Sequence, residues 1–140
     1  MPERAALETN LTRGPASTPP TVLIVEDELP LRRLLGRFLQ SAGCRVLAAE
    51  HGQAALTLIE ETSPDIALVD VLMPVMGGRE FLKECRSRGY QFPAMLVSAS
   101  PEAYDICEDF ACDGVIPKPY DIHALLDKVR AVLERSSLAS

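Results

Sequence analysis

Short runs of uninterrupted aliphatic residues, each ending at a polar group, constrain this chain more than any other feature. Val22-Leu23-Ile24-Val25 runs into Glu26 and Asp27, and Ile66-Ala67-Leu68-Val69 runs into Asp70. An apolar run of this length without polar alternation reads as a strand buried on both faces, as inside a parallel sheet. The residue that ends it emerges from the core into a crevice. Two such strands bring three carboxylates toward one place, where they repel and raise each other's pKa unless a cation neutralises them.

Between these runs the period changes from continuous to helical. Pro30 stands at a helix-starting position, and Leu31, Leu34, Leu35, Phe38 and Leu39 share one face of a helix that Gly43 ends. Residues 45–49 read as a short strand, and Gly52 opens a helix through Ala55, Leu56 and Ile59. Pro64 resets the chain before the strand Ile66–Val69. A loop with Pro74, Gly77 and Gly78 leads into a helix carrying Phe81, Leu82 and Cys85. Residues 93–97 form a fourth strand that stops at Ser98, and Pro101 starts an acidic helix with Ala103, Ile106 and Phe110 inward. Residues 114–116 give a short fifth strand. Ile122, Leu125, Leu126, Val129, Val132 and Leu133 form the clearest apolar stripe of the chain, on the last helix.

Five strands alternating with five helices predict an α/β domain: one doubly wound parallel sheet with helices on both faces. Such sheets bind ligands beyond the carboxyl ends of their strands. Glu26, Asp27, Asp70 and Ser98 would then share one rim.

With 140 residues, 47% of them apolar, the chain suits one globular domain with a sizeable core. Residues 1–20, with Pro2, Pro15, Pro19 and Pro20, read as a flexible tail, 21–135 as the folded domain and 136–140 as a C-terminal tail. A net charge of −6 makes nucleic acid and anionic membrane poor partners. No apolar run is long enough to span a bilayer and no apolar leader is visible, so the expected location is cytoplasmic. Cys44, Cys85, Cys107 and Cys112 lack metal-ligand spacing and read as reduced thiols. His51, in a turn, and His123, on the last helix, read as neither metal ligands nor phosphodonors.

A hard divalent ion with oxygen ligands answers the clustered acids, and magnesium fits a site that keeps several waters and meets a phosphate. Glu26 and Asp27 alone suit the start of a helix equally well, where acids favour the dipole. Lys118 tips the balance. It lies in Ile116-Pro117-Lys118-Pro119, just past the fifth strand, and a point charge on a flexible stem suits a phosphoryl oxygen or a carboxylate. Singly, each residue is ordinary; together, five groups fall at strand ends in order.

These motifs, Val25-Glu26-Asp27-Glu28, Val69-Asp70-Val71-Leu72-Met73-Pro74 with Gly78, Val97-Ser98-Ala99 and Lys118-Pro119, resemble those of the receiver domain of bacterial two-component response regulators. The resemblance covers roughly residues 21–135. It implies the strand order 2-1-3-4-5 of the chemotaxis regulator, with Asp70 as the phosphoacceptor for the phosphohistidine of a sensor histidine kinase or phosphotransfer protein. It further implies magnesium held by Glu26, Asp27, Asp70 and the backbone carbonyl of Leu72. Ser98 would hydrogen-bond a phosphoryl oxygen, Lys118 would pair with the phosphoryl group or Asp70, and the Lys118–Pro119 bond would be cis. Signalling would then run through phosphorylation-dependent contacts with a downstream protein, not through turnover of a substrate.

Three positions depart from the family pattern. Val115 stands where a switch aromatic is usual, Ser98 replaces the commoner threonine, and Gly77 stands where an acid or asparagine is frequent. The main rival, a magnesium-dependent aspartyl phosphatase, needs a general acid two residues after the nucleophile, where this chain has Leu72. A nucleotide-binding module would want a glycine-rich phosphate loop after the first strand, and Glu26-Asp27-Glu28 is its electrostatic opposite. The pattern leaves open a stand-alone regulator or the receiver of a longer hybrid kinase or transcription factor.

Overall fold

A computed structural model of the chain describes Leu11 and residues 18–139. The chain alternates strand and helix throughout: β1 (Thr21–Val25), α1 (Leu29–Ser41), β2 (Arg45–Ala49), α2 (Gly52–Glu61), β3 (Ile66–Val69), α3 (Gly78–Ser87), β4 (Ala94–Ser98), α4 (Glu102–Asp109), β5 (Gly114–Pro117) and α5 (Ile122–Ala139). All strand pairs are parallel and their order is β2-β1-β3-β4-β5, as the resemblance implies.

Register places the site. Val25 lies opposite Val69, Val69 opposite Leu96, and Ser98 opposite Pro117. The residues that follow these pairs, Glu26, Asp70 and Lys118, therefore leave the sheet at the same edge as Ser98. Side chains alternate across each strand and feed two cores. Val22, Ile24, Ile66, Leu68, Met95 and Val97 pack beneath Leu35, Leu39, Leu125 and Val129, on the face covered by α1 and α5. Leu23, Val25, Ala67, Val69 and Leu96 pack against Leu56, Ile59, Phe81, Leu82 and Ile106, on the face covered by α2, α3 and α4. Side chains buried this fully each contribute roughly 1.5–3 kcal/mol, so the middle strands are anchored from both sides.

Most of the expected tail 1–20 lies outside the described residues. Leu11, within it, is buried at 4% exposure and donates its N–H to the Ala42 carbonyl at 2.6 Å, beside Leu39 and Cys44 in the first core. At the other end, α5 continues to Ala139, into the segment read as a C-terminal tail. No glycine or proline between 122 and 139 stops it.

Three helices end in the same way. Gly43 after α1 and Gly89 after α3 adopt the left-handed conformation (φ 96° and 84°), and their N–H groups donate to the Gln40 and Arg86 carbonyls. The next N–H groups reach further back, from Cys44 to Leu39 and from Tyr90 to Cys85, both at 3.0 Å. This pair of backward bonds satisfies carbonyls that the helix end would leave unpaired, and it brings the residues at its two ends into contact. After α4 the same bonds form, Ala111 to Glu108 at 3.4 Å and Cys112 to Cys107 at 2.9 Å, but an alanine occupies the left-handed position at φ 51°. A side chain there crowds the backbone, where glycine would not. Ala111→Gly is therefore expected to stabilise the fold by about 1 kcal/mol, seen as a higher urea midpoint at unchanged m-value.

Candidate functional site

Asp70 follows β3 and donates its backbone N–H to the Val25 carbonyl at 2.9 Å, so its position is tied to the end of β1. Its Oδ1 accepts the Val71 N–H at 2.7 Å, and its Oδ2 accepts from Lys118 Nζ at 3.0 Å. Glu26, one residue past β1, is 6% exposed. Its Oε1 accepts from the same Lys118 ammonium at 2.6 Å, and its Oε2 accepts the Glu28 N–H at 3.2 Å. Asp27 is exposed, yet one of its oxygens lies within 4.8 Å of oxygens of both Glu26 and Asp70. The three predicted acids and the predicted lysine converge.

Lys118 joins four strand ends. Its backbone N–H donates to the Ser98 carbonyl at 3.0 Å, its side chain spans Glu26 and Asp70, and it directly follows β5. The Lys118–Pro119 peptide is cis, as the resemblance implies. Ser98 is buried at 4% exposure on the same rim, and its Oγ accepts the Ser100 N–H at 3.0 Å. Leu72 is 67% exposed and lines an open crevice with Asp27, Met73, Pro74 and Arg79. Val115 lies opposite Leu96, half-buried against the second core, with no aromatic ring at that position.

Two further residues support the rim: Arg32, which the sequence reading did not single out, and Gly78 of the sequence motif. Arg32 donates from Nη1 to the Glu26 carbonyl at 2.7 Å, bracing the acidic turn from the first turns of α1. Its only sequence signal is an arginine six residues after an acid pair. Gly78 lies against the Asp70 backbone: a Cβ there would stand 2.5 Å from the Asp70 carbonyl oxygen, so only glycine permits the α3 start to pack there. His51 acts as the N-cap of α2, its Nδ1 accepting from Ala54 N–H at 3.2 Å, which accounts for it structurally. His123 is exposed near the start of α5.

The electrostatics follow from this geometry. Burial pushes Glu26 above the usual carboxylate range and the Asp70 charge adds to it, while the Lys118 and Glu28 donors pull the other way. Burial would lower Lys118, but the two carboxylates outweigh it and hold the ammonium above its ordinary value. Three carboxylates against one ammonium leave two negative charges (3 − 1 = 2) on the rim. An all-oxygen donor set with that surplus fits a hard divalent cation, and it lacks the nitrogen and sulfur donors that softer metals prefer.

Comparison with known proteins agrees. The model of the response regulator receiver domain matches residues 22–130. The response regulator MprA of Mycobacterium sp. (strain KMS) is 34% identical over 121 residues, which are 85% of this chain and 53% of that protein. The chain thus spans about half the length of the curated relatives it matches. The chemotaxis response regulator CheY4 of Vibrio cholerae superimposes with a TM-score of 0.75 at 32% identity, covering 82% of this chain and 99% of that one. The response regulator TrrA of Thermotoga maritima, solved in complex with Mg(2+)-BeF, gives 0.73 at 27% identity, covering 81% and 98%. This chain belongs to the receiver domain family of two-component response regulators.

Removing the ammonium should expose the repulsion it masks. In Lys118→Ala, Glu26 and Asp70 face each other unneutralised, so the Glu26 carboxyl, already raised by burial and now without the lysine that lowers it, titrates further above its unfolded value. A raised folded pKa contributes stability at low pH that is lost as pH climbs through it. Without magnesium, the variant is expected to be about 2 kcal/mol less stable than the parent near pH 7, with the gap narrowing toward pH 4.5. Urea denaturation at both pH values checks this.

Proposed function

We propose that Asp70 accepts a phosphoryl group from a phosphohistidine and that phosphorylation changes which proteins this receiver binds. The observation that carries this reading is the Lys118 ammonium, held 3.0 Å from Asp70 Oδ2 in a rim where Glu26 and Asp27 crowd the same carboxylate. A carboxylate oxygen attacks phosphorus, a P–O bond forms, and the P–N bond to the imidazole breaks, leaving the histidine to take up a proton. Such transfer depends on positioning and on neutralising charge on the phosphoryl oxygens, with little further covalent work for the protein.

This chain's residues divide that work. Lys118 exchanges part of its contact with Glu26 and Asp70 for a phosphoryl oxygen. Ser98 uses its Oγ as acceptor for the Ser100 N–H, which leaves its O–H to donate to the phosphoryl group. Glu26, Asp27, Asp70 and the Leu72 carbonyl would hold magnesium, which when bound supplies further neutralisation of the transferred group's charge. Exposed Leu72 offers no general acid, so the chemistry stops at the chain's own phosphorylation and dephosphorylation.

A protein phosphodonor has to cover this rim to deliver its histidine. An apolar groove formed by Leu31, Leu34, Ala99, Pro119 and Tyr120 adjoins Lys118 and would seat such a partner. We place this exchange in the cytoplasm; no helix among the described residues is long and apolar enough to cross a membrane.

Incubation with magnesium and a small phosphodonor, followed by intact-mass measurement, tests the reading. One phosphoryl group, about 80 Da, should be gained by the parent and not by Asp70→Asn. No gain by the parent, or an equal gain by the variant, would refute it. Magnesium alone should raise the melting temperature, by the equivalent of about 2.7 kcal/mol at a hundredfold excess over Kd. Asp27→Ala should lose most of that shift in the same thermal scan.

A further inference from the structure

Among the described residues, the cysteines fall into two groups. Cys44 and Cys85 are buried in the two cores on opposite faces of the sheet, with thiols pushed up by burial to about 11 and about 12. They cannot meet each other. Cys107 and Cys112 are only partly buried and flank the second core together, at the end of α4.

Their proximity comes from the helix ending. The backward bonds that close α4 run from Cys112 N–H to the Cys107 carbonyl at 2.9 Å and from Ala111 N–H to Glu108. In this motif the residues joined by the longer bond bring their side chains together, normally as an apolar contact. That is the role of Leu39 with Cys44 after α1, and of Cys85 with Tyr90 after α3. After α4 both partners are cysteines, brought together at the edge of the second core, where the neighbouring Cys107 sulfur helps to push the Cys112 thiol up. The left-handed Ala111 between them, at φ 51°, turns the chain so that this contact forms.

We propose that Cys107 and Cys112 form a thiol–disulfide exchange site that takes a low-molecular-weight disulfide and closes into an intramolecular disulfide. The Cys107 thiolate, its proton released to solvent, attacks one sulfur of the oxidant, and one thiol leaves. Cys112, deprotonated in turn, attacks the Cys107 sulfur of the mixed disulfide and expels the second thiol. Two protein thiols are oxidised, the oxidant is reduced to two thiols, and the protein loses two hydrogens. Burial and the neighbouring sulfur hold Cys112 up at about 12, so it serves as the second, intramolecular attacker, where proximity compensates for a small thiolate fraction. The bond would pin the last turn of α4 to the loop entering β5, on the segment that follows Ser98.

The test uses the reduced full chain in its native fold with an excess of oxidised glutathione near pH 8, then acid quench and trypsin digestion without reductant. Lys118 precedes Pro119 and resists cleavage, so both cysteines stay in the peptide 89–128 and the other two fall elsewhere. The expected product is that peptide about 2 Da lighter, free of glutathione. Cys107→Ser and Cys112→Ser should each lack that loss and carry at most one glutathione, about 305 Da. The proposal is overturned if the parent peptide retains glutathione adducts. It is equally overturned if both thiols stay free while the urea-unfolded chain reacts under the same conditions.

Discussion

One ammonium between two carboxylates organises the functional end of this molecule. Without Lys118, the ends of β1 and β3 would present Glu26 and Asp70 to each other in a partly buried rim, where an unpaired charge is costly. The bridge does not neutralise the rim completely, and that incompleteness is useful. A fully paired site would have no reason to take up a cation. The surplus of two negative charges favours a cation at the rim, while burial on two hydrophobic faces keeps the strands from relaxing apart to relieve it.

The sheet supplies precision that no loop could. Parallel register fixes Glu26, Asp70, Ser98 and Lys118 relative to one another through backbone bonds among β1, β3, β4 and β5, and the two cores clamp those strands from either side. Arg32 and Gly78 then refine the rim from outside the sheet. One braces a carbonyl from α1, and the other lets the start of α3 lie against the Asp70 backbone. Position is thus set by rigid elements and chemistry by a few short-range contacts, the division that transfer of a charged group requires.

Much of this was readable from the chain because the controlling signals are local. Runs such as Val22–Val25 and Ile66–Val69 read as buried strands, and the acids that end them emerge at the strand ends. The strand order came from resemblance, since alternation alone allows several windings. What escaped the reading depends on contacts across space. Arg32 reaching back to Glu26 and Leu11 packing beside Ala42 leave no periodic trace. The meeting of Cys107 and Cys112 is likewise silent, because a spacing of five residues signifies nothing until the chain reverses at Ala111. The helix past residue 135 was missed for a simpler reason: a polar segment without glycine or proline carries no stop signal, and no strong reason to continue.

The attachment of Lys118 is unequal on its two sides. Toward β4 it is held by a main-chain bond to Ser98, which no change of side-chain partner disturbs. Toward β1 and β3 it is held by the tip of its side chain alone. An incoming anion that draws the ammonium away would therefore loosen one half of the rim and leave the other fastened. The strands themselves stay clamped by their ladders and two cores, so the response falls to the acidic turn after β1, while Lys118 stays fastened to β4.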